Sequence, residues 1–429
     1  MRAMKTAFFT ICSRNYLAYA LTLRESLLAA EPDHELVIFL ADEAVGSNAL
    51  EGIETIAVAA LGRPEIASMA LRYSIMEFNT AIKPFCFQHL FSKMDFEAAI
   101  YLDPDIAVFG PLSQVHDALQ AGASCILTPH ILEPLADECS PSDMDILKCG
   151  TFNLGFAAFA RTPEAEDFLS WWARRLIEHC FSDIEHGLFV DQKFVEFAPS
   201  FIGALQVLRD PGYNVAYWNL AHRKVDRAGN AWQVNGQPLV FFHFSGIAPG
   251  RPELLSKHQD RFGSANEAGA RFLVEAYLGK LNEHGHATWS KVPYAFNAGP
   301  DGQKIPDTLR RHLAVRNTID APLSPSDVAY WNTPSERVDQ VSGTVITRLM
   351  LAIYESRPDL RTEFPLSRAE GRRNFHAWFL AYGAGEYGLP DVWIKAALAR
   401  SALRSPAISR RLAWLRFALA RLKRRRPGE

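Results

Sequence analysis

The chain is 429 residues long, 48% hydrophobic and 22% charged, with a formal net charge of −3. At ~150 residues per domain this suits two to three packed domains. No run of ~18 apolar residues appears, which argues against a membrane span, and the near-neutral total argues against nucleic-acid binding by the main body.

Strand-like and helix-like segments alternate at first. Lys5–Ile11 reads as a strand rather than a signal peptide, because no convincing cleavage site follows it. Tyr16–Ala30 is helical, with Leu17, Leu21, Leu27 and Leu28 on one side. Glu35–Ala41 and Ile53–Ala57 read as strands, Glu65–Phe78 and Thr80–Phe91 as helices, and Ala98–Leu102 as a buried strand. Leu112–Gln120 is a helix leading into a strand at Ser124–Leu127. This rhythm calls for an α/β fold with a mostly parallel sheet and helices on both faces. Further on, Phe152–Ala160 and Leu239–Phe244 read as strands, and Glu164–Cys180 and Ala265–Leu281 as helices. A Gly- and Pro-containing stretch near 285–306 reads as a linker. Beyond it the pattern is wholly helical: Ser335–Glu355, Ser367–Tyr382, Val392–Arg404 and Ser409–Arg426. The expected organisation is a catalytic domain over 1–285, a linker over 286–306, a helical domain over 307–404 and a basic tail over 405–429.

Six cysteines (12, 86, 125, 139, 149 and 180) show no Cys-x-x-Cys pair, so they read as buried thiols in a reducing cytoplasm. Charge is uneven. Residues 395–429 carry eleven Lys/Arg and one acid, which leaves the body acidic. In the tail, Leu412, Leu415, Leu419 and Leu422 recur at helical spacing beside Trp414 and Phe417, flanked by Arg411, Arg416, Arg421 and Lys423. A cationic amphipathic helix of this kind suits an anionic membrane surface. The expected location is cytoplasmic, peripheral to the inner face of the membrane.

The chemistry concentrates in YLDPDIAVFG, Tyr101–Gly110. A short buried strand stops at Asp103 and Asp105. In open α/β sheets ligands sit beyond the carboxyl ends of strands. Two carboxylates there repel each other unless a cation stands between them, and hard cations take one or two carboxylates together with phosphate oxygens. The stretch therefore predicts a metal–diphosphate site. Asp-Pro-Asp is also good turn chemistry.

Several ordered segments resemble the family 8-like glycosyltransferases, the glycogenin and bacterial lipopolysaccharide galactosyl- and glucosyltransferase group, over about residues 4–260. The resemblance implies an A-type glycosyltransferase fold, a Rossmann-like mixed sheet with helices on both faces, here followed by a helical C-terminal region. In it the opening strand and CSRNYLAYALTLRESLL would place Thr10, Cys12, Ser13 and Tyr16 against the nucleotide. NTAIKPF (Asn79–Phe85) would bring Lys83 to the donor phosphates. YLDPDI matches the metal motif, with Asp105 on the metal and Asp103 on metal or ribose. NLGF (Asn153–Phe156) would line the sugar pocket with Asn153, and Gly155 would permit close approach. VDQKF (Val190–Phe194) would put Asp191 and Gln192 near the anomeric carbon. PGYNVAYWN (Pro211–Asn219) supplies Asn214. FFHFSG (Phe241–Gly246) supplies His243 as third metal ligand, with Gly246 behind it. There the family's Lys-Pro-Trp is replaced by PGRPE, with Arg251 displaced by two positions as the remaining diphosphate contact. RPDLRTEFP (Arg357–Pro365) and AYGAGEYGLP (Ala381–Pro390) resemble a module that accompanies glycosyltransferases in bacterial surface-polysaccharide clusters.

The resemblance thus implies a transferase that uses Mn²⁺ or Mg²⁺, a nucleotide-diphosphate sugar (UDP-glucose or UDP-galactose) and a saccharide or glycolipid acceptor, and that retains anomeric configuration. Imidazole among the ligands suits Mn²⁺ better than Mg²⁺. Two other readings stand beside it. One is a non-catalytic sugar-binding or scaffold protein, supported by the displaced Lys-Pro-Trp. The other is a glycoside hydrolase, which needs carboxyl groups ~5 to 9.5 Å apart across the bond.

Overall fold

The computed structural model describes residues 4–46, 50–297, 310, 328–342, 344–387, 389 and 391–399. The chain divides into two compact units, Met1–Phe296 and Asn297–Glu429.

The first unit is built on a mixed sheet. Its strands are β1 (Thr6–Cys12), β2 (Leu36–Leu40), β3 (Thr55–Ala57), β4 (Ala98–Leu102), β6 (Cys125–Pro129), β7 (Phe152–Ala160) and Leu205–Val207, with a short β5 (Ile106–Val108) leaving the sheet after β4. The order across the sheet is Leu205–Val207, β6, β7, β4, β1, β2, β3. β1 lies parallel to β2 and β4, and β2 to β3. β7 is antiparallel to both of its neighbours, β4 and β6. The sheet is therefore mixed and mostly parallel, as expected from the sequence: among its described strands β7 alone runs against its neighbours.

Both faces of the sheet are covered, which explains the continuous apolar runs in its strands. Phe8 packs in one cluster with Leu17, Leu23 and Leu27 of α1 (Leu17–Ala30) and Val115 and Leu119 of α5 (Ser113–Gln120). The next residue, Phe9, points to the opposite face, where its ring meets Phe87 of α4 (Lys83–Lys93) edge-on at 4.7 Å. Phe87 in turn meets Phe159 of β7 at 4.9 Å. α7 (Pro163–His179) packs on the same side, its Phe168 stacked near Phe159 at 6.0 Å. This period-2 alternation puts the core on both sides of the strands that lead into the site.

Several helices differ from the sequence expectation. Glu65–Phe78 is not one helix but two, α2 (Glu65–Arg72) and α3 (Ile75–Ala81). Ser74 breaks the run with a reciprocal capping box: the Glu77 amide donates to Ser74 Oγ at 3.4 Å and the Ser74 amide to Glu77 Oε2 at 2.9 Å. The helix expected from Ala265 runs over Arg271–Glu283, because Gly269 turns the chain at φ +67°. His286–Trp289, expected in the linker, is a helical turn belonging to the first unit.

In the second unit, Ser335–Glu355 is helical only over Arg348–Ser356. The preceding segment is folded on Gln340, whose Oε1 accepts from the Ile346 amide at 2.9 Å and whose Nε2 donates to Ser335 O at 2.9 Å. Thr347 then caps the helix, its hydroxyl accepting from the Met350 amide at 3.2 Å. Ala369–Trp378 follows, continuing as a π-helical turn at Phe379–Gly383, and Asp391–Ala399 is helical. Phe364, Phe375 and Trp378 form the aromatic centre of this unit. The remainder of the helix expected to Arg404, and the amphipathic tail, lie outside the described residues. Among the described residues, no helix is long and apolar enough to cross a membrane.

Candidate metal centre

β4 ends at Leu102, and the Asp103 amide still donates to Gly155 O of the neighbouring strand at 2.8 Å. Asp103 is therefore held to β7 at the carboxyl edge of the sheet. Pro104 turns the chain, and Asp105 leads into β5. That strand pairs antiparallel with Phe241–His243, placing His243 opposite Ile106. The Phe244 amide donates to Asp105 O at 2.8 Å. Residues almost 140 apart in sequence are thus locked side by side by backbone alone.

The side chains converge. His243 Nε2 lies 3.1 Å from Asp105 Oδ1 and 3.6 Å from Asp103 Oδ2. One ligand atom from each of the three residues lies within 4.8 Å of the others. His243 is buried, and Trp218 closes its other side, ring to ring at 5.2 Å and nearly perpendicular. Burial disfavours the imidazolium, but the facing Asp105 and Asp103 outweigh it and raise the pKa of His243. Burial raises the Asp103 carboxyl above the usual range, against the pull of Lys83 and His243. Tyr101 donates its hydroxyl to Asp103 Oδ1 and fixes the carboxylate. A nitrogen and two carboxylates aimed at one point are a donor set that a divalent cation such as Mn²⁺ fits, because like-charged acceptors this close need a positive partner between them.

Gly155 is part of this geometry. A Cβ there would stand 2.4 Å from His243 Cε1 and 2.8 Å from Asn153 Oδ1. The glycine thus makes room for the histidine ring, where the resemblance assigned it to the sugar. Asn153 anchors a buried network behind the site. Its Oδ1 accepts from the Gly155 amide and from Asn214 Nδ2, both at 3.0 Å. Asn214, at φ +52°, also donates to Thr128 Oγ1 at 2.8 Å. Asn153 Nδ2 lies 3.2 Å from His130 Nε2, and burial pushes His130 down to about 4, so the neutral ring accepts there.

Lys83 and Asp191 lie beneath the site rather than in its opening. Their ion pair, Nζ to Oδ2 at 2.6 Å, is 2% exposed on each side. Lys83 also donates to Leu154 O at 2.8 Å and sits 4.2 Å from the centre of the Tyr101 ring. Burial raises the pKa of Asp191, with Lys83 opposing it. Gln192 is likewise engaged: its Oε1 accepts from the Leu154 amide at 3.0 Å and its Nε2 donates to Cys149 O at 3.1 Å. These residues buttress the strand that carries Asn153 and Gly155.

At the end of β1, Thr10, Cys12 and Ser13 are buried. Ser13 donates its hydroxyl to Asn15 Oδ1 at 2.6 Å. Tyr16 is exposed and stacks on Tyr19 at 4.4 Å. Burial of its hydroxyl pushes that group up to about 12, with the neighbouring charges of Asp105 and Asp103 adding to the rise. Gly246 adopts φ +72°, and a Cβ there would meet His258 Cδ2 and Ser256 Oγ, each at 2.4 Å. Arg251 is exposed and pairs with Glu253 at 3.3 Å.

Besides His130, Thr128 and Trp218, two more residues not singled out from the sequence join the site's surroundings. Asp42 follows β2 at the same edge of the sheet. It is buried, lies 3.1 Å from Arg14 Nε, and accepts from the amides of Arg14 and Ala295, both at 3.2 Å. A charged residue ending an apolar strand was the available signal. Burial lowers the pKa of His258, beside Gly246, with the Asp105 charge opposing it, and no local pattern marks this residue.

No protein-family model matches the chain. Over 249 residues it is 25% identical to the uncharacterized protein YfnF of Bacillus subtilis strain 168, spanning 57% of this chain and 82% of YfnF. Over 248 residues it is 28% identical to YfnD of the same organism, spanning 56% and 77%. Among solved structures it is similar to the galactosyltransferase LgtC in complex with donor and acceptor sugar analogs (17% identity, TM-score 0.39, covering 67% of this chain and 97% of LgtC). It is also similar to the glycosyltransferase GlyE of Streptococcus pneumoniae TIGR4 (14%, TM-score 0.39, 68% and 66%). Likeness at this level carries no donor, acceptor or reaction to this chain.

Proposed function

We propose that the protein is a metal-dependent glycosyltransferase that moves a hexose from a nucleotide-diphosphate sugar to a saccharide acceptor. The observation that carries this reading is the convergence of Asp103, Asp105 and His243 at the carboxyl edge of the sheet. The three ligand atoms lie within 4.8 Å, closer than the ~5 to 9.5 Å separation of a glycosidase carboxyl pair, which disfavours a hydrolase.

Asp103, Asp105 and His243 would hold Mn²⁺ or Mg²⁺. When bound, the cation supplies positive charge to the departing diphosphate, a stabilisation that grows as the glycosidic bond breaks. The chain's own residues set the geometry. Tyr101 orients Asp103, and Gly155 leaves the space that His243 fills. Asn153, Asn214 and Gln192 hold the strand beside the opening, and Tyr16 offers a face for the nucleotide base. Lys83 and Asp191 fix the floor. Retention, and UDP-glucose or UDP-galactose as donor, are carried over from the family resemblance. An acceptor on a lipid carrier in surface-polysaccharide or lipopolysaccharide assembly is likewise carried over from the resemblance, and a location at the inner membrane face rests on the basic composition of residues 405–426.

Nucleotide release from a panel of nucleotide sugars, with Mn²⁺ and with a chelator, tests the proposal. Metal-dependent release from one donor class supports it. Donor binding without turnover would favour the sugar-binding or scaffold reading, for which Arg251 pointing to Glu253 rather than to the site speaks.

A further inference from the structure

A second convergence of ligand atoms lies at the other end of the sheet. Glu31 follows α1 and His34 precedes β2, whose Leu36 is in register with Phe8 near the start of β1. The cluster therefore sits at the amino edge of the strands, opposite Asp103. The turn that ends α1 brings the first two together, the Glu31 amide donating to Leu27 O at 2.7 Å and the His34 amide to Glu31 O at 3.1 Å. His116 comes from α5.

His34 Nδ1 lies 3.5 Å from Glu31 Oε2, and His116 Nε2 lies 3.4 Å from Glu31 Oε1. One ligand atom from each residue falls within 4.8 Å of the others. Both ring nitrogens are shut off from solvent and face the Glu31 carboxylate at ion-pair distance, without the angles of a full hydrogen bond. A buried polar atom in that state needs an explanation, and two imidazole nitrogens facing a carboxylate have one in a cation held between them. Metal–ligand bonds of ~2.0 to 2.1 Å in a tetrahedron put ligand atoms about 3.3 Å apart, near the two histidine–Glu31 distances, each of which runs to a different carboxylate oxygen.

The surroundings are built to hold these side chains. The two imidazoles lie nearly parallel, 5.2 Å apart at 19°. Both rest edge-on against the buried Phe8 ring, at 5.1 and 5.9 Å. The Leu112 amide donates to Glu31 Oε1 at 2.7 Å, the kind of outer hydrogen bond that orients a metal-binding carboxylate. The histidine side chains keep about a quarter of their surface exposed, which leaves a path for the ion and for a water as fourth ligand.

We infer that Glu31, His34 and His116 form a second divalent-cation site, distinct from the candidate catalytic centre, that takes Zn²⁺. Two imidazoles with one carboxylate suit zinc, whereas Mg²⁺ and Ca²⁺ prefer oxygen-only sets. Its role is structural: the ion clips the end of α1 to the start of α5 across the amino edge of the sheet.

The test uses the full chain without a polyhistidine tag. Asp105→Asn with His243→Gln removes the other candidate centre. In that background the chain should still bind one Zn²⁺, measured by competition with a chromophoric chelator and by metal content. Adding His116→Gln or Glu31→Gln should weaken binding at least ~10-fold, and Co²⁺ used as a spectroscopic probe should lose its visible absorption. Zn²⁺ should raise the melting temperature of the background protein and not of the His116→Gln form. If the background variant fails to fold, stoichiometry in the parent answers the same question, with His34→Gln or His116→Gln removing one bound Zn²⁺. Absence of stoichiometric Zn²⁺ in the background variant, or binding unchanged by both histidine substitutions, would overturn the inference.

Discussion

Gly155 and His243 share one space: the glycine lacks the Cβ that would stand 2.4 Å from His243 Cε1. The histidine reaches Asp105 only because β7 is bare at that point. Gly155→Ala should therefore displace the ring while leaving the strand pairing of β7 intact. The expected result is at least a tenfold loss of Mn²⁺-dependent donor turnover with an unchanged circular dichroism spectrum. Near-normal turnover in Gly155→Ala would show that the ring position is not needed.

The Lys83–Asp191 pair is buried on both sides, so losing one partner strands the other. Lys83→Met should destabilise the protein by about 3–5 kcal/mol. The double variant Lys83→Met/Asp191→Leu should lose less than Lys83→Met alone, because no uncompensated charge remains. Urea denaturation of the four forms in a double-mutant cycle measures this. Additive losses would mean that the two side chains are not coupled.

Arg261 grips Asp137 with two hydrogen bonds, 2.7 and 2.8 Å, tying the loop before α6 (Asp143–Cys149) to the segment after His258. That guanidinium holds the Asp137 carboxyl down to about 2. The folded value lies below the unfolded one, ~3.9 for a free Asp. The pair's contribution is therefore complete above pH ~4 and lost as pH falls through about 2. The stability gap between the parent and Arg261→Gln should be flat from neutral pH to about 5 and close toward pH 2, read from denaturation at each pH. A gap that persists unchanged at low pH would contradict the assignment.

How much of this was legible in the sequence follows the range of the interactions. Ala98–Leu102 and Phe152–Ala160 have the boundaries their apolar runs suggested, since strands covered on both faces declare themselves locally. Asp103 and Asp105 were visible because their signal, a carboxylate pair ending such a run, spans a few residues. The split at Ser74 was missed: the apolar spacing continues through Tyr73 and Phe78, and the Ser74–Glu77 capping box outweighs it. The helix expected from Ser335 was shortened because Gln340 hydrogen-bonds the backbone in a non-helical turn, an outcome that apolar periodicity does not record. The antiparallel run of β7 is set by its partners β4 and β6 rather than by its own apolar pattern. Asp42, His130 and His258 come together with the site only through the fold.

The proposed function requires that Asp103, Asp105 and His243 hold a divalent cation against the diphosphate of a nucleotide-sugar donor. Calorimetric titration of UDP into the protein, with saturating Mn²⁺ and again with a chelator, tests it most directly. Binding is expected with Mn²⁺, with much weaker binding in the chelator and loss of the Mn²⁺-dependent part in Asp105→Asn. Equal UDP affinity in both conditions would contradict it.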